Sequence, residues 1–291
     1  MTCQYSVFGD RLGDKLNMRL SDRIALITGG AQGLGKSIAL AMAKEGATIV
    51  ICDINTKTLP DAQSEIESAG ARCLAVQCDV SSVDSVADLF RQTVSAFGTL
   101  DILVNNAALV QTGARNEEMR AKFYTMMTTP VPKESLGVTK DFSDEEWHKY
   151  WGVNVHGVFY CTREALRIME PKKSGKIINI ASIAGTGGFS AFHPAYCATK
   201  GAVLAFTRSV AIEVAGANIF VNAIACGGIL TPPMESFLAS QSDEGRNALH
   251  QIIPLGRLGR PEEYASLAVY LASDEHYLVG QTISPNGGMV L

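Results

Sequence analysis

The chain has 291 residues, a formal net charge of -4 and 47% hydrophobic residues, enough for one large folded unit or two small ones. A slightly acidic chain without a long run of lysine or arginine gives no electrostatic reason to expect a nucleic acid or an anionic membrane as partner. No apolar run approaches the length of a membrane span.

The first segment, residues 1–19, is predicted to be a leader or a disordered arm. It is polar and lacks the apolar stretch of a signal peptide. The seven cysteines are scattered and form no CxxC pair. In a chain of this size they are interpreted as reduced thiols, so we expect a cytoplasmic protein.

From residue 20 onward, short apolar runs alternate with stretches of helical spacing. The runs predicted to be strands cover residues 23–28, 48–53, 72–80, 100–108, 175–182, 218–225 and 281–286. Helical patterns follow the first three runs, over 35–47, then to Gly70 and to Gly98. The runs do not alternate polar with apolar residues, as expected of parallel strands covered on both faces. The sequence therefore predicts an α/β fold, with a single doubly wound parallel sheet and helices on both faces.

Two segments interrupt this alternation. Residues 109–142 form a long, proline-containing connection, after which Ser143 and Glu146 form a capping box that predicts a new helix. Residues 227–255 open with glycines and prolines and precede a helix predicted near Pro261. Long connections in a compact domain are usually functional or mobile. We therefore expect the first to be an insertion beside the site and the second a mobile lid over the substrate.

A glycine-rich turn joins the first strand to the first helix. Gly29, Gly33 and Gly35 lie in LITGGAQGLGKS, where glycine allows a tight turn and close approach to a pyrophosphate at the helix start. The next strand ends in Asp53, which is placed to accept a hydrogen bond from a ribose 2′-hydroxyl and to repel a 2′-phosphate. The pattern predicts a dinucleotide site that prefers NAD.

Tyr196 and Lys200 stand one helical turn apart in AFHPAYCATKGAVLAF. Positions i and i+4 share a helix face, so the ammonium is predicted to lie near the phenol. A free phenol titrates at about 10, and a nearby positive charge favours the phenolate. The pair is therefore predicted to supply a base for a hydroxyl proton near the working pH.

Taken together, these motifs resemble the short-chain dehydrogenase/reductase family over residues 20 to 290. TGGAQGLG is similar to the family's cofactor loop, and NNAA at 105–108 to its stabilising turn. The residues that match its catalytic set are Asn154, Ser182, Tyr196 and Lys200. The resemblance implies a Rossmann-type catalytic domain over 20–291.

The resemblance also implies a role for each matched position. Tyr196 would be the general base in oxidation and the general acid in reduction, Ser182 would polarise the substrate oxygen, and Asn154 would hold a water that links Lys200 to solvent. Asp79 would contact the adenine, and Thr231 the nicotinamide carboxamide. The residues expected to bind the cofactor are Gly29, Gln32, Gly33, Leu34, Gly35, Asp53, Asp79, Val80, Asn106, Tyr196, Lys200 and Thr231.

Hydrolysis by a serine nucleophile and metal-dependent catalysis have no support in the sequence. Ser182 lacks the GxSxG nucleophile elbow. The five histidines form no HExxH motif or cluster, so no metal site is predicted. His193 is interpreted as a loop residue with a structural hydrogen bond, in preference to a substrate contact.

The sequence thus predicts an NAD(H)-dependent enzyme that interconverts a secondary alcohol and a ketone. Apolar residues in 109–142, such as Phe123 and Met127, either wall a pocket for a bulky apolar or cyclic substrate or pack against protein. Two alternatives remain: a 3-oxoacyl thioester reductase and a dinucleotide-binding regulator without turnover. The expected partners are a small-molecule substrate and, by family resemblance, further copies of the chain in a homotetramer or homodimer.

Overall fold

The computed structural model describes residues 18–111, 113–187 and 190–290. Most of the predicted leader, residues 1–17, lies outside these residues. The end of that leader contacts the fold, because Arg19 pairs with Glu45 and Leu20 is fully buried.

Seven parallel strands form one sheet in the spatial order β3-β2-β1-β4-β5-β6-β7. The strands are β1 (Ile24–Thr28), β2 (Thr48–Asp53), β3 (Cys73–Gln77), β4 (Ile102–Asn105), β5 (Gly175–Ser182), β6 (Ile219–Cys226) and β7 (Thr282–Ile283). Every predicted strand is present, but the runs 72–80, 100–108 and 281–286 shrink. The chain beyond β3 and β4 leaves the sheet and turns into the loops that border the site.

Helices cover both faces of this sheet. They are α1 (Gly33–Lys44), α2 (Leu59–Ser68), α3 (Val83–Phe97), α4 (Ala114–Thr128), α5 (Asp144–Trp151), α6 (Gly157–Lys172), α7 (Pro194–Val214), α8 (Pro232–Ser240), α9 (Asp243–Gln251) and α10 (Pro261–Ala272). A π-helical turn, Gly152–His156, joins α5 to α6. No helix among these described elements is long and apolar enough to cross a membrane.

The core has two layers because successive strand residues point to opposite faces. In β1, Ala25 and Ile27 pack in the cluster that includes α1 and α10. Leu26, between them, packs in the cluster that includes α3, α6 and α7. The predicted doubly wound sheet with two covered faces is therefore confirmed.

The strand order reverses at β1, which pairs with β2 on one side and β4 on the other. The chain segments that follow β1 and β4 meet there, because the Thr28 hydroxyl accepts hydrogen bonds from the backbone N–H groups of Asn106 and Ala107, each at 3.0 Å. In open α/β sheets, ligands bind at the carboxyl ends of the strands at this kind of reversal. The fold thus places a crevice beside the predicted glycine turn.

The segments 109–142 and 227–255 contain helices that the sequence did not predict: α4 in the first, α8 and α9 in the second. In α4 the buried residues are Arg120 and Phe123. A helix that buries so few apolar residues shows no clear 3.6-residue apolar period. The helix starts predicted after Ser143 and near Pro261 are confirmed, and the Ser143 hydroxyl accepts a hydrogen bond from the Glu146 N–H at 3.1 Å.

Candidate active site

The glycine turn opens onto a large cavity of about 1200 Å³ at the carboxyl ends of the strands. Gly33 begins α1 with φ of +55°, a conformation that favours glycine. A Cβ at Gly33 would meet only the Thr231 Cγ2, 3.9 Å away, so the space before the helix start is open. Gln32, at the N-cap, makes no side-chain cap, which leaves N–H groups of the first turn for a phosphate. The turn therefore fits a dinucleotide.

Asp53 ends β2 at the same cavity. Its carboxylate accepts hydrogen bonds from the N–H groups of Asn55, at 3.0 Å, and Ala31, at 3.4 Å. These bonds fix the carboxylate beside the glycine turn, where a ribose would lie. Ile54, which follows Asp53 in the sequence and also lines the cavity, carries no positive charge.

The predicted cofactor residues reach the cavity in different ways. Asp79 and Val80 line it after β3, and the Asp79 carboxylate accepts bonds from the Ser81 N–H and hydroxyl, at 2.9 and 2.7 Å. Asn106 also lines it, but its amide donates to the carbonyls of Thr28 and Gly29, at 2.9 and 3.0 Å. Asn106 therefore holds the glycine turn in place. All twelve residues predicted to bind the cofactor line this one cavity.

Tyr196 lies in the first turns of α7 and faces the cavity. His193 caps this helix, because its Nδ1 accepts a hydrogen bond from the Tyr196 N–H at 3.2 Å. The histidine is fully buried, with its ring 4.5 Å from that of Tyr150. The structural interpretation of His193 is confirmed, and the cap sets where the phenol enters the cavity.

Burial, and not the charge of Lys200, has the largest effect on the pKa of the phenol. Burial raises the pKa of Tyr196 to about 12, and a hydrogen bond with Ser182 opposes that rise. The Lys200 ammonium lies 5.8 Å from the centre of the phenol ring and donates to the Ile180 carbonyl at 2.7 Å. Burial also lowers the pKa of Lys200 to about 8. The lysine is thus turned toward β5, and desolvation dominates the ionisation of the phenol.

Ser182 ends β5 and acts to lower the pKa of Tyr196. Its hydroxyl oxygen accepts a bond from the Ala184 N–H at 3.1 Å, which fixes its direction. Ser182, Tyr196 and Lys200 all line the cavity. The structure therefore brings together three of the four residues predicted to be catalytic.

Asn154 is placed differently from its predicted role. It lies in the π-helical turn, is 1% exposed and does not line the cavity. Its Oδ1 accepts from the Leu109 N–H at 2.7 Å, and its Nδ2 donates to the Leu109 carbonyl at 3.1 Å and to the Thr199 hydroxyl at 3.2 Å. With these bonds Asn154 anchors the start of 109–142 to α7, one residue before Lys200.

The predicted insertion supplies a wall of the cavity, but through other residues than expected. Met127 is 57% exposed, and Phe123 packs on the ring of Phe192 at 5.9 Å. The cavity is lined instead by Tyr124 and Arg120. Arg120 is the residue that the sequence missed, since a lone arginine in an irregular segment carries no pattern.

The predicted lid packs against this insertion. Leu249 of α9 belongs to a small core with Tyr124 of α4 and Met234 of α8. Phe237 is 5% exposed and lines the cavity, as does Thr231 at the start of α8. Within residues 18–111, 113–187 and 190–290, no group of three or more His, Cys, Asp or Glu side chains is placed to hold a metal ion.

Comparison with known proteins gives a consistent assignment. A family model described as short chain dehydrogenase matches residues 23–242. A 3-oxoacyl-[acyl-carrier-protein] reductase of Synechocystis sp. is 35% identical over 277 residues, covering 94% of this chain and 98% of the relative. The (2S)-[(R)-hydroxy(phenyl)methyl]succinyl-CoA dehydrogenase subunit BbsD of Thauera aromatica is 34% identical over 275 residues, covering 94% and 99%.

Among solved structures, levodione reductase superposes with a TM-score of 0.80 at 29% sequence identity. The match covers 93% of this chain and 98% of that structure. The likeness thus extends well beyond the glycine turn, over nearly the whole described chain.

Proposed function

Because the chain belongs to the short chain dehydrogenase family, an oxidoreductase family, we propose that it interconverts a secondary alcohol and a ketone with NAD(H). The observation that carries the proposal is that Tyr196 and Ser182 face the same cavity as the glycine turn and Asp53. A bound nicotinamide dinucleotide would supply the hydride donor or acceptor. The protein then has to bind and orient both molecules and to move one proton.

Tyr196 moves that proton in this proposal. In oxidation its phenolate takes the hydroxyl proton of the alcohol, and in reduction its phenol returns a proton to the carbonyl oxygen. Ser182 donates a hydrogen bond to the same oxygen and polarises it. Lys200 holds the nicotinamide ribose. The proton relay through Asn154 stays a prediction. The Asn154 side chain already makes hydrogen bonds to Leu109 and Thr199, so a relay water would have to bind in addition to these partners.

We propose NAD as the cofactor because of Asp53. Its fixed carboxylate would accept a hydrogen bond from a ribose 2′-hydroxyl, whereas a 2′-phosphate would place like charges together. The test compares kcat/KM with NAD and with NADP, and Asp53→Ala should narrow the difference. A wild-type preference for NADP would refute this choice.

The substrate proposed is bulky and cyclic or largely apolar. Tyr124, Phe192 and Phe237 line the same cavity as Tyr196, and aromatic rings favour such a ligand. The deciding experiment is a panel of small and large secondary alcohols with either cofactor, followed as absorbance of the reduced cofactor. Turnover of any of them excludes a regulator without activity, and a preference for large alcohols supports the proposed substrate.

A 3-oxoacyl thioester is the second candidate, favoured by the names of the relatives at 34–35% identity. The reaction would use the same residues, since it also reduces a ketone to a secondary alcohol. Acetoacetyl-CoA distinguishes the two. A kcat/KM for acetoacetyl-CoA far above that for every simple ketone would replace the first proposal.

We also propose a cytoplasmic homotetramer or homodimer. Phe159 on α6 is 43% exposed and Ile212 on α7 is 80% exposed. Phe206 of α7 lies beside Phe159, with 6.3 Å between ring centres, so part of this apolar surface is contiguous. A second copy of the chain is the partner that family resemblance implies for it.

A further inference from the structure

A buried positive charge lies in the wall of the substrate cavity. Arg120 of α4 is 7% exposed and lines the cavity. Arginine stays protonated in proteins, so the charge is permanent. None of the ion pairs among the described residues involves Arg120. A desolvated charge without an anionic partner is costly, which makes this site favourable for an anion.

The guanidinium is held in one place by neighbours from three parts of the chain. Its Nη2 donates to the Gln111 carbonyl at 2.7 Å. Its Cζ lies 4.7 Å from the ring centre of Phe237 on α8 and 5.5 Å from that of Phe192. Among the described residues, one of its five N–H donors thus bonds to a protein acceptor. Neither aromatic ring carries a carboxylate that would neutralise the charge.

Gln111 supplies a further buried donor. The Gln111 amide nitrogen, Nε2, is buried and has no hydrogen-bond partner among the described residues, and Gln111 also lines the cavity. A buried amide N–H that makes no hydrogen bond costs free energy. An acceptor-only group with two oxygens would satisfy both the amide and the guanidinium.

This pair of donors lies on the reactive side of the cavity. Phe192, against which Arg120 packs, precedes Tyr196 by four residues, and both Phe192 and Tyr196 line the cavity. The glycine turn that would hold the cofactor phosphates follows β1, whereas Arg120 lies on the helix after β4 and contacts Gln111, Phe192 and Phe237. A cofactor phosphate is therefore a poor match for this position.

We propose that Arg120, assisted by Gln111, binds a carboxylate on the substrate, so that the enzyme acts on a bulky oxo- or hydroxycarboxylic acid. The inference rests on the proposed alcohol–ketone reaction and narrows its substrate class. The carboxylate is held at Arg120 and takes no part in the chemistry. The carbonyl carbon receives hydride from NADH, its oxygen receives the Tyr196 proton, and a hydroxycarboxylate and NAD result.

Arg120 has one competing explanation, a purely structural bridge between α4 and α8. Glu117, one turn before Arg120, also lines the cavity. Its charge acts to raise the pKa of Arg120, but the two residues form no ion pair. If Arg120 is structural, replacing it should lower kcat/KM for charged and neutral substrates alike. If it binds a carboxylate, replacing it should lower kcat/KM for the charged substrate only. The test therefore uses substrates matched in shape.

The first experiment measures kcat/KM for 3-oxocyclohexanecarboxylate and for its methyl ester, with NADH. The wild-type protein should favour the acid by at least about 10-fold, and Arg120→Gln should lower kcat/KM for the acid by about 10- to 100-fold. The same variant should change the value for the ester by less than about 3-fold. Arg115→Gln, which removes the same charge from an exposed position of α4, is the matched control and should change neither.

The second experiment needs no turnover. Calorimetry compares cyclohexanecarboxylate with cyclohexanecarboxamide as ligands of the protein with NADH. The carboxylate should bind at least about 10-fold more tightly, and Arg120→Gln should abolish the difference.

The outcomes separate this inference from the proposed function. If the carboxylate binds and its binding depends on Arg120, but no ketone is reduced, the anion site is supported and the proposed reaction is rejected. If the acid and the ester are reduced with equal kcat/KM, the reaction is supported and the carboxylate site is overturned. An equal loss of kcat/KM for both substrates in Arg120→Gln would have the same meaning.

Discussion

Tyr196 illustrates how far a side chain's surroundings determine its chemistry. Two residues that the sequence brings together, Tyr196 and Lys200, lie on one helix face, yet the ammonium bonds to the Ile180 carbonyl. Burial raises the pKa of the phenol to about 12. Oxidation therefore needs a further positive charge, and oxidised nicotinamide would bring one.

Removal of the phenol oxygen tests this role directly. Tyr196→Phe should lower turnover by about 10²–10⁴-fold, because a general acid–base group is lost while the ring still packs. Its dissociation constant for NADH, measured by fluorescence titration, should stay within about 3-fold of wild type. Residual activity above about a tenth of the wild-type rate would remove Tyr196 from the proposed role.

The two pKa values also predict how ketone reduction depends on pH. Reduction needs the protonated phenol, and a pKa of about 12 keeps Tyr196 protonated through pH 9. A pKa of about 8 means that Lys200 loses its charge as the pH rises through 8. We therefore expect kcat/KM for a ketone to be level from pH 6 to 7 and to fall above 8. A level profile up to pH 10 would contradict a role for the charged lysine.

The sequence predicted the positions whose chemistry is carried by a motif. The glycine turn, Asp53, Ser182 and Tyr196 all reach one cavity. It did not predict the direction of the Lys200 ammonium, because a backbone carbonyl of a neighbouring strand leaves no trace in the spacing of side chains.

At the level of elements, the strands were predicted better than the connections. Buried strands such as Gly175–Ser182 read as continuous apolar runs, and this one has the predicted bounds. The helix Ala114–Thr128 was missed because it buries an arginine and a single aromatic ring on its inner face. Its stability comes from packing against α9 and the ring of Phe192, which lie far away in sequence.

The packing of α8 and α9 on α4 leads to a prediction for the lid. The connection between α8 and α9, residues 241–242, and the helix ends beside it are largely exposed, so a protease should cut there in the free protein. NAD with a substrate should slow the cut, because Phe237 and Leu249 would close on the ligand. Limited proteolysis followed by mass spectrometry measures the rate. An equal rate with and without ligands would show that 227–255 is no lid.

At the level of the whole molecule, exposed apolar side chains occur on both α6 and α7, where Phe159 and Ile212 are among them. Phe159 packs edge-on against Phe206, while Arg163 lies over its ring with 5.4 Å to the ring centre. This part of α6 and α7 is the face proposed to meet a second copy.

A charge on this face should break the oligomer. We expect Phe159→Glu to elute as a smaller species in size-exclusion chromatography with light scattering, because burying a carboxylate in an apolar interface is costly. Val94→Glu is the control, since it adds the same charge to an exposed apolar position on α3. An unchanged mass for Phe159→Glu would place the interface elsewhere or leave the protein monomeric.

The separate contacts of Asp53 and Arg120 have a further consequence for how this protein can change its specificity. Asp53 ends β2 and accepts hydrogen bonds from Asn55 and Ala31, whereas Arg120 on α4 contacts Gln111, Phe192 and Phe237. Substitutions at independent sites that share no partner have additive free-energy effects within about 0.5 kcal/mol. The cofactor preference changed by Asp53→Ala and the substrate preference changed by Arg120→Gln should therefore combine without interference in the double variant, measured by kcat/KM. Such a protein can acquire a new substrate while keeping its old cofactor, or exchange the cofactor while keeping its substrate, by single steps that do not depend on each other.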